Sequence, residues 1–358
     1  MGSAVSTGAD SEKSVSVTAR EGKPRRSERL APTIYDIARV AGVNPSTVSR
    51  ALGKPGRISA KTEERIRDAA AKLNYQVNPM ARALPTGRTN TIALIVADIT
   101  NPMFFDVVRG VERAAVDKDF TLLLAESAES ADNELRAAAR LMRVADGIML
   151  VTSRLDDEAI VRLAEQKPVV VVNREVAGVP GVVADVDYGI AEVIRHLVSL
   201  GHRSIAYIAG PTRSWMSERR WKSIEQRCEW SNVSAIRIEA GVPTVDGGRA
   251  AATDVLASGV TAAIAYNDLM AIGLMQEVIE AGLSIPTDLS IVGFDNIFGS
   301  DFTTPPLTTI MSPLRDAGAL AFAQLLNDLD GKASFDVPLS DALVTRLIIR
   351  GSTGPAHQ

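Results

Sequence analysis

Between Thr33 and Leu52 the chain reads TIYDIARVAGVNPSTVSRAL, and few folds accept that string. Ile34, Ile37, Ala38 and Ala41 recur at the three- and four-residue spacing that lines one side of a helix. Thr33 is suited to cap that helix, and Asp36 in its first turn faces the positive end of the helix dipole. Gly42 falls where the helix must stop, because a left-handed backbone costs glycine nothing. Val43 then adds an apolar contact, and Asn44-Pro45 restarts a helix, with Asn as cap and Pro at the first helical position. Val48, Ala51 and Leu52 turn inward. Pro45, Ser46, Thr47, Ser49 and Arg50 remain outside, with no carboxylate among them. Such a face suits the major groove of DNA, where arginine binds guanine through two hydrogen bonds and serine or threonine reaches bases or phosphates. An ordinary helical hairpin with a solvated face would look similar over this stretch alone. The sequel weighs against it: Ser59 is placed to cap a third helix carrying Ile66, Ala69, Ala70 and Leu73, which completes a three-helix headpiece before Asn74-Tyr75.

Charge distribution points the same way. The whole chain carries −4, yet Arg20 to Arg88 holds 15 Lys and Arg against 6 Asp and Glu. A basic front on an acidic body is an electrostatic footprint for phosphate binding. Residues 1–31 are poor in apolar side chains and are predicted disordered, with Lys23, Arg25, Arg26 and Arg29 either trailing along the DNA backbone or simply solvated. The single cysteine, Cys228, rules out an internal disulfide, fits a reducing compartment and is expected to be a half-buried thiol. No run of about 18 apolar residues suggests a membrane span, and the first residues lack the apolar core of a secretory signal. The expectation is a cytoplasmic, nucleoid-associated protein with no membrane partner.

The motifs TIYDIARVAGVNPSTVSRAL, ISAKTEERI, LNYQVNPMARAL, NDLMAIG, SIVGFD and TPPLTTI follow one another in the order of the LacI/GalR family of bacterial transcriptional regulators. The chain resembles that family from Thr33 to about Arg350. The resemblance implies a DNA-binding headpiece over 32–77, with Thr33, Tyr35, Asn44, Pro45, Ser46, Thr47, Ser49, Arg50 and Arg57 at the duplex. It implies a hinge helix and linker over 78–90 that becomes helical only when a homodimer docks on a near-palindromic operator. Asn78, Ala81 and Leu84 then lie in the minor groove, and the leucine wedges into a central base step. Pro85 departs from the pattern. Proline disfavours helical geometry in the residue before it, so the hinge ends a residue early or Leu84 points differently. No leucine heptads follow the last strand, so a tail-mediated tetramer is not expected from the 351–358 tail.

From Thr91 onward, β-rich runs alternate with helical stretches. TIALIVAD, FTLLLAE, GIMLVT and VVVVN, then SIAYIAG, SAIRIEA, TAAIAYN and LSIVGFD, read as strands buried on both faces. Helices are expected over 104–118, 132–143, 156–166, 188–200, 215–230, 246–258 and 268–281, and a last strand near 343–350. The fold class is therefore α/β, with two doubly wound parallel sheets. The family resemblance makes them the two lobes of a periplasmic-binding-protein-like domain over 91–350, which binds effector and dimerises.

Ligands of open parallel sheets bind beyond the carboxyl ends of the strands. The polar residues there are Asp98, Asn101, Asn173, Arg174, Asn267, Asp268 and Asp295. Carboxylates and amides match sugar hydroxyls, while Phe104, Trp215 or Phe298 offers a surface for a ring. The resemblance adds specific expectations. Asp295 accepts hydrogen bonds from effector hydroxyls, Arg220 binds the ligand, and Asn173-Arg174 contributes a contact. One of Asn267 and Asp268 touches ligand while the other caps the following helix. Trp215 stacks on ligand or packs between lobes, and one of Phe104 and Phe105 faces the ligand. Ser223 stands where the family has glycine, and the region from Lys222 to Ala240 is shortened, which leaves contacts from that helix least defined.

The reading is an effector-controlled DNA-binding regulator, a repressor, with a sugar or sugar derivative as effector. A purine- or nucleoside-responsive corepressor type is the alternative, because the sign of the response is not legible. A solute-binding protein would share the clamp but have no use for the headpiece. An enzyme is disfavoured: His196, His202 and His357 show no metal-ligand spacing, and no nucleophile elbow, phosphate loop or dinucleotide fingerprint appears. No cofactor or metal is expected.

Overall fold

The computed structural model describes residues 32–53, 58–75, 87–332 and 343–357. The chain divides into two compact units, Met1–Arg82 and Ala83–Gln358. The predicted basic tail, Arg57, and the hinge positions Asn78, Ala81, Leu84 and Pro85 lie outside the described residues.

The first unit holds α1 (Ile34–Ala41), α2 (Pro45–Gly53) and α3 (Ala60–Lys72). Ile37, Ala38, Ala41, Val48, Ala51, Ile66 and Ala69 are buried together, and Ile34, Val43, Leu52, Ala70, Leu73 and Tyr75 pack around them. The Asp36 carboxylate reaches back to accept from the Thr33 backbone N–H at 3.0 Å and its hydroxyl at 2.8 Å. Gly42 ends α1 at φ 64, and the Val43 N–H returns to the Ala38 carbonyl at 3.0 Å. The first turn of α2 closes on the Asn44 carbonyl. One expected cap differs. Ser59 occupies the cap position of α3, but its hydroxyl pairs with the Thr62 hydroxyl at 2.9 Å, so only its carbonyl serves the helix.

The second unit is two α/β lobes. Lobe one contains β1 (Thr91–Val96), α4 (Met103–Val116), β2 (Thr121–Glu126), α5 (Ala131–Leu141), β3 (Gly147–Val151), α6 (Asp157–Ala164), β4 (Val169–Val172) and β5 (Gly181–Val182). Its strands are all parallel in the order β2-β1-β3-β4-β5. Lobe two contains α7 (Val186–Ser199), β6 (Ser204–Ala209), α8 (Trp215–Trp230), β7 (Ser234–Glu239), α9 (Val245–Ala257), β8 (Ala262–Ala265), α10 (Asp268–Glu280), β9 (Ser290–Asp295), β10 (Thr308–Met311) and β11 (Arg346–Ile348). Its order is β11-β10-β9-β8-β6-β7, parallel except for β11, which runs antiparallel to β10. The expected two-sided burial holds for the central strands and fails at the edges. In β2, Leu124 is 47% exposed, because an edge strand lacks a neighbour to cover it.

Between β10 and β11 runs α11 (Leu314–Leu329), a helix the sequence reading did not assign. Although both flanking strands belong to lobe two, Leu314, Ala317, Ala321, Phe322 and Leu325 are buried in the core of lobe one. The chain therefore passes between lobes at residues 184–186, 311–314 and 343–345. The first and last passages are tied together: Asp185 N–H donates to the Leu343 carbonyl at 2.9 Å, and the Thr345 hydroxyl donates to the Asp185 carbonyl at 2.6 Å. A narrow connection of this kind lets two rigid bodies hinge. α11 also lies very close to α4. A Cβ at Gly110 would stand 2.0 Å from the Arg315 carbonyl oxygen, and one at Gly318 would stand 2.3 Å from that of Val107.

One smaller expectation is corrected. Cys228 is fully buried on α8 rather than half-buried, and burial pushes its thiol up to about 11. The C-terminal segment is fixed along lobe two. Ser352 exchanges bonds with the Ile291 backbone, and the Ala356 N–H donates to the Leu200 carbonyl at 2.8 Å. No helix among the described residues is long and apolar enough to cross a membrane.

Candidate functional site

On the headpiece, Asn44, Ser46, Ser49 and Arg50 are exposed, with Pro45 and Thr47 half-buried beside them. Arg50 makes no hydrogen bond or ion pair among the described residues, so its guanidinium is free to bind. Tyr35 is 68% exposed and borders a concavity of about 530 Å³ with Arg39, Gly42, Asn44 and Pro45. Of the predicted DNA-facing residues, Tyr35, Asn44 and Pro45 border this one concavity. Thr33, exposed at the start of α1, spends its hydroxyl on Asp36.

In lobe one the strand ends carry several predicted effector residues, and they separate into classes. The Asp98 carboxylate accepts from the Thr100 N–H at 2.8 Å and hydroxyl at 2.6 Å, shaping the turn after β1. The Asn101 amide oxygen accepts from Met103 N–H at 3.1 Å and starts α4. Phe104 is buried in the lobe core, and Phe105 is the exposed member of the pair. Asn173 ends β4 in the left-handed conformation at φ 58. Arg174 is buried; its Nη1 donates to the carbonyls of Ser153 at 3.0 Å and Leu155 at 2.5 Å, and its Nη2 to Asp157 at 2.6 Å. Its Nε has no partner.

Lobe two centres on a buried ion pair. Arg220 Nη2 lies 3.1 Å from Asp295 Oδ1, and Nη1 donates to the Tyr266 carbonyl. The guanidinium stacks 3.5 Å above the Phe294 ring centroid and 4.9 Å from that of Tyr266, which favours a cation desolvated there. Asp295 ends β9 at φ 98, a conformation costly for any residue but glycine and typical of strained binding positions. Burial raises its carboxyl above the ordinary range, with Arg220 pulling the other way. Asn267 is the cap: its amide oxygen accepts from Met270 N–H at 2.9 Å. Asp268 instead ties lobe two together, accepting from Thr309 Oγ1 at 2.5 Å and from Ile297 N–H at 2.8 Å. Full burial pushes its carboxyl up to about 8.

Trp215 opens α8, half-buried against the lobe-two core. It borders a groove of about 610 Å³ between the lobes with Thr212, Arg213 and Ser214, opposite Asp156, Asp157 and Arg174 of lobe one. Phe298 stands apart, 77% exposed and edge-to-face with Phe302 at 5.1 Å. Ser223, the departure from glycine, is buried on α8.

The sequence reading missed a second buried cluster. Arg154, just past β3, is 4% exposed. Its Nε meets Glu129 Oε2 at 2.6 Å, its Nη1 the Thr152 carbonyl at 2.6 Å, and its N–H the Glu134 carboxylate at 2.8 Å. Across the cleft the guanidinium interacts with the Tyr266 side chain, whose hydroxyl pairs with Ser214 at 3.1 Å. Burial raises the Glu134 carboxyl. The sequence shows only an arginine three residues past a buried strand, which marks its place near a strand end but not its burial.

The histidines take no part in the cleft. His196 pairs with Thr353 at 3.0 Å, and His202 pairs with Thr261 at 2.8 Å and the Gly354 carbonyl at 3.0 Å; burial lowers both. Among the described residues no group of His, Cys, Asp and Glu converges on a metal position. Buried charges and hydrogen-bonding groups thus gather at the carboxyl ends of strands in both lobes, where ligands of open parallel sheets bind.

Comparison with known proteins accords with both units. Residues 33–78 match the model for bacterial regulatory proteins, lacI family, and residues 194–353 match a periplasmic binding protein-like domain. The HTH-type transcriptional regulator DegA of Bacillus subtilis is 32% identical over 92% of this chain and 100% of its own length. The HTH-type transcriptional repressor CytR of Escherichia coli is 32% identical over 92% of this chain and 98% of its own. Among solved structures, the Lac repressor dimer bound to operator and the anti-inducer ONPF superposes with TM-score 0.81 at 26% identity, covering 91% of this chain and all of that one. With a headpiece, a two-lobed clamp and relatives that match along nearly the whole length, the chain belongs to the lacI family of bacterial regulatory proteins and is a transcriptional regulator.

Proposed function

We propose that this regulator represses transcription by binding a near-palindromic operator as a homodimer, and that a carbohydrate held between its lobes sets its operator affinity. The observation that carries the effector half is the buried Arg220–Asp295 pair at the strand ends, with Arg220 also braced on Tyr266. It presents a fixed donor and a fixed acceptor to a ligand entering between the lobes, which suits adjacent hydroxyl groups. Named relatives point to the same ligand class. They include the ribose operon repressor of Halalkalibacterium halodurans, 31% identical over 90% of this chain, and a transcriptional regulator CelR–cellobiose complex with TM-score 0.66.

In this reading Asn44, Pro45, Ser46, Thr47, Ser49 and Arg50 meet the major groove, and Tyr35 and Thr33 meet the backbone. Residues 78–90 link the two units as a hinge, and the protein works in the cytoplasm on nucleoid DNA. Ligand favours one opening of the lobes about their narrow connection, and an equilibrium between two such states sets the affinity for DNA. The test is fluorescence anisotropy on genomic fragments enriched by the protein, titrated with a panel of sugars and of purines. A sugar that shifts the binding curve of the wild type and not of Asp295→Asn, with operator affinity otherwise kept, is the expected result. A normal response in Asp295→Asn removes this cleft from the mechanism, and a response to purines alone replaces the ligand class.

A further inference from the structure

We infer that the effector carries an acidic group, a carboxylate or a phosphate borne on the carbohydrate, and that Arg154 is the residue that reads it. This rests on the cleft being the effector site and says what chemistry fills it.

Arg154 is held with unusual completeness. Glu134 accepts from its backbone N–H, the Thr152 carbonyl takes Nη1 and Glu129 takes Nε. A guanidinium so fixed loses little conformational freedom on binding, and its planar fork matches carboxylate and phosphate oxygens. Tyr266 of the opposite lobe acts electrostatically on this group, and the Tyr266 ring lies 4.9 Å from the Arg220 guanidinium carbon. Two guanidinium groups, one from each lobe, therefore converge on a single phenol. Arg174 joins them from the other side of the same loop, through the carbonyls of Ser153 and Leu155.

The charges balance unevenly between interior and rim. The side chains of Arg154 and Arg174 are 4% and 9% exposed, while their partners Glu129 and Asp157 are 24% and 64% exposed. The acids that are as deeply buried, Glu134 and Asp268, have their carboxyls raised by burial, Asp268 to about 8. Asp268 is then mostly neutral near pH 7, and Asp295 is left as the one buried partner of Arg220. Each guanidinium of the interior has one carboxylate partner, yet the group of three offers donors beyond those its acids occupy. Two of them, Nε of Arg174 and Nε of Arg220, are buried with no acceptor, and an N–H of that kind can only donate. An anion supplies acceptor lone pairs and charge together, where a hydroxyl supplies only the former. A ligand anion held by Arg154 and reaching the groups of lobe two would also engage both lobes at once, which couples binding to closure.

Full-length protein would be titrated calorimetrically with matched pairs: glucose against glucuronate, galactose against galacturonate, glucose against glucose 6-phosphate, and ribose against ribose 5-phosphate. At least one acid should bind about tenfold or more tightly than its neutral parent, as expected for a charge-assisted bidentate contact. The uronates and the phosphates separate the two sources of the negative charge. Arg154→Gln should abolish the preference, read as the ratio of acid to neutral-parent affinity within the variant, and Arg154→Lys should restore part of it. Circular dichroism on each variant establishes that it is folded, and the wild-type comparison stands without them. Neutral sugars that bind as tightly as their acids, or a preference that survives Arg154→Gln, overturn the inference and leave the carbohydrate reading intact. Folded protein that binds no member of either series overturns both.

Discussion

Asp268 offers a sharp test of how burial is used in lobe two. Its carboxyl has no solvent exposure, lies 2.5 Å from Thr309 Oγ1 and 2.8 Å from the Ile297 nitrogen, and is pushed from 3.8 up to about 8. The folded state therefore holds this proton more tightly than the unfolded state. Its contribution to stability is complete below about pH 4 and is lost as pH rises through 8, because the unfolded chain binds fewer protons throughout that window. A shift of about four units corresponds to about 6 kcal/mol between the two ends, and the part falling between pH 6 and pH 9 is about 2–3 kcal/mol. Asp268→Asn replaces the neutral carboxyl with a neutral amide of the same shape. Its oxygen can accept from Ile297 N–H while its nitrogen donates to Thr309 Oγ1, so both contacts survive without a proton to lose. Urea unfolding of wild type and variant at pH 6, 7, 8 and 9 would then give curves that nearly coincide at pH 6 and diverge by about 2–3 kcal/mol at pH 9, in favour of the variant. Other groups titrate in this range in both proteins, so the difference between the curves is the quantity to read. Parallel pH dependences would refute the argument, since they would mean that Asp268 is ionised in the folded protein, held so by a cation such as Arg350.

Two further perturbations probe other levels of the fold. Gly110→Ala pushes a methyl group into the Arg315 carbonyl across the α4–α11 contact, and should destabilise the second unit by roughly 1–3 kcal/mol in the same urea assay; unchanged stability would show that the two helices separate at little cost. Arg50→Ala should weaken specific operator binding by roughly 1–3 kcal/mol while leaving non-specific binding nearly intact; an equal loss on random DNA in a competition assay would move Arg50 from base reading to phosphate contact.

The headpiece was legible because its determinants are local. The spacing of Ile37, Ala38 and Ala41, the left-handed Gly42 and the Asn44-Pro45 restart act within a few residues of one another, and the three helices form where that spacing predicts. The alternation of the body was legible for the same reason, and the bounds of α8 agree residue for residue. Edge strands misled, since an apolar run such as Thr121–Glu126 reads alike whether or not a neighbouring strand covers it. The helical spacing of Leu314, Ala317 and Ala321 is present in the sequence, but nothing local tells which lobe the helix will join.

Within the cleft, the sequence determined the kinds of group available at strand ends, and it did so because doubly wound sheets always present those ends to ligand. Which member of an adjacent pair does what was decided only by tertiary packing. Asn267 caps and Asp268 is buried; Phe104 enters the core and Phe105 faces solvent. The two residues of each pair differ by about 100° around a helix or by the face of a turn, and only the surface packed against them breaks the tie. Arg154 is the extreme case. An arginine written after a strand carries no local mark of burial, and it becomes a fixed charge inside the cleft only because Glu129, Glu134 and a tyrosine from the other lobe close around it.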